Sequence, residues 1–213
     1  MMDCRQNRFC RSLDPVLRER LCENCTRREF KKGAIIYRAD IQPYIMLIVD
    51  GVMTTQQSFD EHMLVEGDCP AFFINTNGLV LGIENLFNDE PIKRYGYIQY
   101  TCLTDGVVAR FDRGFIRDFF VTDVELAKAM YKNIVTAAGE ACEFAAVLRA
   151  PNVEESIRYL LRYAARKGFR LTQQQMADIT GHSRVSVTRA ISHIKTSDAA
   201  LWETYQSKGL PRV

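Results

Sequence analysis

The sequence predicts an α+β chain: an N-terminal antiparallel β-roll leads through one long helix to an all-α C-terminal domain. Three observations carry that prediction. Short β-branched and aromatic runs separated by turn residues fill residues 30–111, the signature of an antiparallel roll or barrel. Apolar residues then recur at spacings of three and four through 123–149, as on one helix with a narrow seam. Beyond Ala150-Pro151, which breaks that helix, shorter helical segments follow, each opened by a capping residue. The expected domains are a roll with a helical lead over 1–122, a connecting helix over 123–150 and a helical domain over 151–213.

In chain order, Asp14 is a good N-cap, Pro15 suits the first helical position, and Leu17 and Leu21 follow on one face. Strands are expected in Gly33–Tyr37, Tyr44–Val49 and Tyr95–Thr101, with turns at Lys32-Gly33, Asp50-Gly51, Glu66-Gly67-Asp68 and Asp105-Gly106. The long helix carries a heptad seam of Ala127, Met130, Ile134, Ala137, Ala141, Phe144 and Leu148, whose small central residues would let two backbones approach. This seam points to a homodimer. Asn152 and Glu155 then open a helix that closes at Gly168. Residues 195–206 read as one more helix.

The chain has 213 residues, 47% of them hydrophobic, enough for a sizeable core. No apolar run approaches the roughly 20 residues of a membrane span, and the N-terminus lacks a signal peptide's apolar stretch, so a cytoplasmic protein without membrane contact is expected. Seven cysteines, at 4, 10, 22, 25, 69, 102 and 142, argue against a disulfide framework. The net charge of +2 is divided unevenly, with +6 on residues 149–213 and −4 on residues 1–148. A basic C-terminal third on an acidic body suits a polyanionic partner.

The strongest local pattern is Leu171 to Arg189. Thr172 and Gln175 form a capping box before Met176-Ala177-Asp178-Ile179, Gly181 supplies a turn, and Ser183 caps the following helix. Two capped helices around a glycine turn fit a helix-turn-helix whose second helix enters the DNA major groove. Val187, Ala190, Ile191 and Ile194 share an inward face. Thr172, Ser183, Arg184, Val185, Ser186, Thr188 and Arg189 are the candidate DNA-binding residues. Arginine can grip phosphate or pair with guanine O6/N7, whereas Val185 can only touch a thymine methyl.

These residues resemble the family of the cyclic-AMP receptor protein and the fumarate-nitrate reduction regulator (CRP/FNR). The resemblance covers about residues 12–195 and rests on the order of roll, long helix and helix-turn-helix. It is carried by Lys32-Gly33-Ala34-Ile35-Ile36-Tyr37, by Leu103-Thr104-Asp105, and most specifically by Gln175-Met176-Ala177-Asp178, Gly181-His182-Ser183-Arg184 and Val187-Thr188-Arg189. It implies a cyclic-nucleotide-binding-like roll that senses an effector, a dimerising long helix and a palindromic double-stranded operator. The resemblance also makes RNA polymerase a candidate partner. Two departures stand out. Many members carry glutamate after the serine-arginine pair, where this chain has Val185, so half-sites rich in A·T at that step are expected. The family usually closes with a β-hairpin wing, which helical residues 195–206 leave reduced or absent; Lys208 and Arg212 are candidates to replace it.

The cofactor is left open, and four effectors compete. Cyclic nucleotide fits poorly, because Gly96 and Tyr97 stand where such members hold the phosphate with an arginine and a serine or threonine. An iron–sulfur cluster or redox thiol switch draws on Cys22-Glu23-Asn24-Cys25 with Cys4, Cys10 and Cys102, yet only Cys4 and Cys10 precede the lead helix as the family's cluster ligands do. Haem would rest on Cys69-Pro70 and His62 alone. The preferred reading is a small organic ligand, held by Gly82, Glu84, Tyr95, Tyr97, Tyr100 and Tyr131. Tyrosines at such positions also suit half-buried strands.

An enzyme is disfavoured by inventory. Only His62, His182 and His193 exist, and no nucleophile–histidine–carboxylate pattern, phosphate-cradling glycine loop or HExxH occurs, so no catalytic or metal-binding residues are expected. A ligand-binding dimer that has lost DNA binding is the other alternative.

Overall fold

The computed structural model describes residues 7–37, 40, 42–58, 71–86 and 97–208. It forms two compact units, Met1–Cys69 with Ile74–Ala138, and Pro70–Phe73 with Gly139–Val213. Among the described residues no helix is long and apolar enough to cross a membrane.

The lead consists of α1 (Arg8–Arg11) and α2 (Pro15–Glu23). Asp14 caps α2 by accepting Leu17 N–H, and Pro15 occupies the first turn, where its missing amide hydrogen costs nothing. Eight strands follow: β1 (Cys25–Phe30), β2 (Ile35–Tyr37), β3 (Tyr44–Asp50), β4 (Met53–Ser58), β5 (Ala71–Asn75), β6 (Val80–Leu81), β7 (Tyr97–Cys102) and β8 (Gly106–Asp112). They make two four-stranded sheets, ordered β1-β8-β3-β6 and β2-β7-β4-β5. The antiparallel roll is the expected one. β2, β3 and β7 lie where strands were expected; the other five strands were not placed individually, and β1 and the helix after β8 are the least legible. β1 reads Cys-Thr-Arg-Arg-Glu-Phe, with no apolar alternation, and its register against β8, from Cys25↔Phe111 to Phe30↔Gly106, places it. The helix α3 (Arg113–Thr122) follows β8 directly, capped by Asp112.

Strand alternation builds two cores from the first sheet. Ile45, Leu47 and Val49 of β3, with Ala109 and Phe111 of β8, bury against Phe9, Leu17, Leu21, Ile116, Phe119, Leu126 and Met130 of the helices. Met46, Ile48 and Val108 point the other way, into the roll, where Ile36, Met53, Tyr100 and Cys102 of the second sheet meet them. Burial on both faces explains why β3 reads as one unbroken apolar run.

A single 25-residue helix, α4 (Val124–Leu148), follows. Its buried Asn133 clasps the turn between β5 and β6: Nδ2 donates to Gly78 O at 2.6 Å, and Oδ1 accepts Val80 N–H at 3.0 Å. From the other side Asn7 Nδ2 donates to Asn77 Oδ1 at 2.6 Å and to Ile48 O at 2.9 Å.

The C-terminal unit is all-α, as expected: α5 (Val153–Lys167), α6 (Gln173–Thr180), α7 (Arg184–Ser197) and α8 (Ala199–Lys208). Asn152 opens α5 and Gly168 closes it in the left-handed region at φ 77°. The end of α4 belongs to this unit. Phe144 meets Tyr163 edge-on with centroids 6.1 Å apart, Ser156 Oγ donates to Val147 O at 2.8 Å, and Lys167 pairs with the buried Glu140 at 2.6 Å. These contacts pin α4 to α5 across Pro151. Among the described residues no strand follows α7; the helix α8 stands where a wing would be.

Candidate nucleic-acid interface

The helix-turn-helix is built by its caps. Thr172 Oγ1 accepts Gln175 N–H at 3.1 Å while Gln175 Oε1 accepts Thr172 N–H at 2.9 Å, the reciprocal capping box. Gly181 ends α6 at φ 70°, a backbone that a side chain would strain. Ser183 Oγ accepts Ser186 N–H at 3.2 Å and starts α7.

On α7 the inward face is fully used: Val187, Ala190, Ile191 and Ile194 are all buried. The opposite face is open. Arg184, Val185, Thr188, Arg189 and Ser192 are exposed, and Val185 shows 61% of its surface. Ser186 is half-buried against its cap. Among the described residues neither Arg184 nor Arg189 has an ion pair, so both guanidinium groups stand ready for an outside anion. Thr188 Oγ1 donates to Gln173 Oε1 at 2.8 Å, tying the recognition face to the first residue of α6.

Charge holds the helices together behind this face. Arg158 of α5 donates to Glu154 Oε1 at 2.6 Å and to Asp198 Oδ2 at 2.9 Å, and His193 Nδ1 lies 2.8 Å from Glu154 Oε2. Hydrogen bonds from Arg158 first, and then His193, hold the Glu154 carboxyl below its ordinary range. Three residues outside the sequence-predicted set also matter. Tyr205 of α8 is 2% exposed; its phenol accepts Leu171 N–H at 2.8 Å and donates to Leu171 O at 3.1 Å. Arg170 lies beside it, and Gln173 holds Thr188. No motif marks Tyr205; the helical spacing of Leu201, Trp202 and Tyr205 is the one signal of a buried face.

The candidate effector residues are not gathered at one point. Gly82 has φ +80° and enters the 3-10 turn Ile83–Asn85, where Glu84 is half-buried; a Cβ on Gly82 would come within 3.2 Å of Tyr44 O. Tyr100 is 4% exposed inside the roll, while strand alternation puts Tyr97 on the opposite face of β7. Tyr131 is 67% exposed on α4. Tyr95, Gly96, His62, Cys4, Cys69 and Arg212 lie outside the described residues, as does the side chain of Lys208.

Of the heptad seam, Met130 is buried in the roll's helical core and Phe144 in the C-terminal unit. Ile134 and Leu148 are exposed, and Ala127, Ala137 and Ala141 are half-buried. A neighbouring register keeps the same spacing and has no buried member: Val124, Tyr131, Ile134, Ala138 and Leu148 are exposed, and Ala127, Ala141 and Ala145 are half-buried. Cys22 is exposed, and Cys25 Sγ, at the start of β1, donates to Cys22 O at 3.3 Å. Among the described residues no three His, Cys, Asp or Glu side chains converge as metal ligands.

No protein-family profile and no curated protein matches the chain. Solved structures do. FixK2 from Bradyrhizobium japonicum is 16% identical, with 89% of this chain and 99% of that one covered at a TM-score of 0.62. The c-di-GMP-responsive global regulator CLP from Xanthomonas campestris is 15% identical over 86% and 92% of the two chains, at 0.66. A CRP-family transcriptional regulator from Thermus thermophilus is 15% identical over 87% and 100%, at 0.63. With its roll, its long helix and its helix-turn-helix in the same order, the chain has the fold of the CRP/FNR transcriptional regulators.

Proposed function

We propose that the chain is a sequence-specific, DNA-binding transcription regulator that works as a homodimer and is switched by a small organic effector in the β-roll. The observation that carries this reading is the open face of α7: two unpaired arginines and a bare valine on a capped recognition helix, in a C-terminal stretch, residues 149–213, of net charge +6. The roles follow the chain: residues 1–122 sense, 123–150 dimerise and 151–213 bind a palindromic operator, with RNA polymerase as a further contact. Thr172, Ser183, Arg184, Ser186, Thr188 and Arg189 anchor and read DNA, and Val185 packs on a thymine methyl. The dimer seam is the register from Val124 to Leu148 that has no buried member, since Met130 and Phe144 are already spent inside their own units. Effector binding in the roll shifts that seam and reorients the two recognition helices.

The test is sequencing of genomic fragments bound by protein purified without oxygen, before and after exposure to air. Enrichment of one two-fold symmetric site supports the reading. Enrichment that changes with air replaces the organic effector with the Cys22–Cys25 pair, whose Cys22 is exposed. Enrichment of no site in either state overturns DNA recognition by the free protein.

A further inference from the structure

Arg170 is half-buried, and its Nε is enclosed without a hydrogen-bond acceptor. Among the described residues it has no carboxylate partner either. The rest of the guanidinium is half-exposed and carries no counter-charge, so an arriving anion would meet a cation that its own chain leaves unneutralised. Its surroundings are held still. The next residue, Leu171, has both its N–H and its C=O bound by one phenol, Tyr205 of α8, and Thr172 beyond it is locked in the capping box. Burial holds the Tyr205 phenol above its ordinary range and keeps it protonated, so it can donate and accept at once, while Arg170 acts on it electrostatically from alongside. The end of α8 that carries Tyr205 is fastened at its start by Asp198, which accepts from Arg158 and caps Leu201. Lys195 of α7 also lies 4.6 Å over the Trp202 ring, one turn before Tyr205.

We propose that Arg170 binds a DNA backbone phosphate at the entrance to α6, and that Tyr205 is the positioning residue that holds it there. The inference rests on the DNA-binding reading above. On that reading α8 takes over the backbone anchoring that a β-hairpin wing gives elsewhere, by a different route: it touches no DNA and fixes the segment that does. Phosphate contacts set register and carry no sequence information, so the contribution of Arg170 is the same on every duplex.

The test uses the full chain and a fluorescein-labelled 40-base-pair duplex of random sequence, with anisotropy measured from low to physiological salt. Arg170→Gln is expected to reduce the slope of log K against log salt by about one phosphate and to weaken binding about 3- to 10-fold near 0.1 M salt. Arg170→Lys should restore the slope. Tyr205→Phe should reproduce part of the loss, and combining it with Arg170→Gln should cost no more than Arg170→Gln alone, since both act through one contact. An unchanged slope in Arg170→Gln overturns the phosphate site, and needs no change at Tyr205 that could disturb folding. Losses that multiply in the double variant, or a Tyr205→Phe protein altered only in melting temperature, reduce Tyr205 to a structural residue and overturn its positioning role. A wild-type chain that shows no salt-dependent binding removes the DNA-binding reading itself, and this proposal with it.

Discussion

At the scale of single residues, two side chains make opposite use of their surroundings. Cys102 is 1% exposed inside the roll, and burial pushes its thiol up to about 11 from 9.0. It is therefore a packing group and not a nucleophile at neutral pH. The sign of its linkage is definite. Above pH 9 the unfolded chain loses this proton and the folded chain keeps it, so Cys102 makes stability fall as pH rises, until the folded thiol also ionises near 11. Urea melts from pH 8 to 11 should show a shallower fall in Cys102→Ala than in the wild type. Parallel curves would mean that the thiol is not shielded as described. Val185 is the reverse case, an apolar side chain with 61% of its surface in solvent and no partner in its own chain. Such exposure has a use if a thymine methyl covers it. Val185→Glu should exchange an A·T preference at one step of each half-site for C·G, a discrimination of about 1–3 kcal/mol in a binding selection. No change in base preference at any position would remove Val185 from the readout.

At the scale of elements, capping was more legible than packing. Asp14-Pro15, Asn152 with Gly168, Thr172 with Gln175, and Ser183 each marked a helix end that the structure reproduces, because a cap is a local bargain between one side chain and the nearest free amides. β1 was not legible, since only its register against β8 makes a strand of Cys25–Phe30. The helix α3 hid between two stronger patterns. For α4 the sequence shows period but not partner. Two adjacent registers share Ala127, Ile134, Ala141 and Leu148, and periodicity cannot tell which of the remaining positions a chain keeps for itself. Burial separates them. Ala138→Glu together with Ile134→Glu should convert the protein to a monomer by sedimentation without unfolding it, because both positions are open in the single chain. Phe144→Ala should instead cost about 3–5 kcal/mol of stability, since its ring is fully buried against Tyr163. A double glutamate variant that stays dimeric would place the seam on another surface.

At the scale of the whole molecule, the fold class was readable because its three parts differ in hydrophobic period, two for the roll and near 3.6 for the helices. The candidate DNA face was readable for the same reason that it is a face: polar and basic residues stand opposite an apolar stripe on one short helix. The effector residues were not, because a strand tyrosine looks alike in sequence whether it enters the roll, as Tyr100 does, or faces away, as Tyr97 does. Tyr205 and Arg170 were hidden more deeply: Tyr205 reaches back 34 positions to the main chain of Leu171, next to Arg170, by hydrogen bonds that leave no trace in side-chain chemistry.

The Asn133 clasp carries one further consequence. A carboxamide has a donor end and an acceptor end, and this one is engaged at both, with Gly78 O and Val80 N–H. The contact is therefore polarised: a carboxylate at 133 would set oxygen against oxygen, and a leucine would leave two main-chain groups dry and unanswered. The long helix grips the turn in one orientation only, as a key enters a lock. The exchange lifetime of the Val80 amide is consequently a built-in gauge of whether helix and roll are engaged, readable in the native protein without a ligand, a label or DNA.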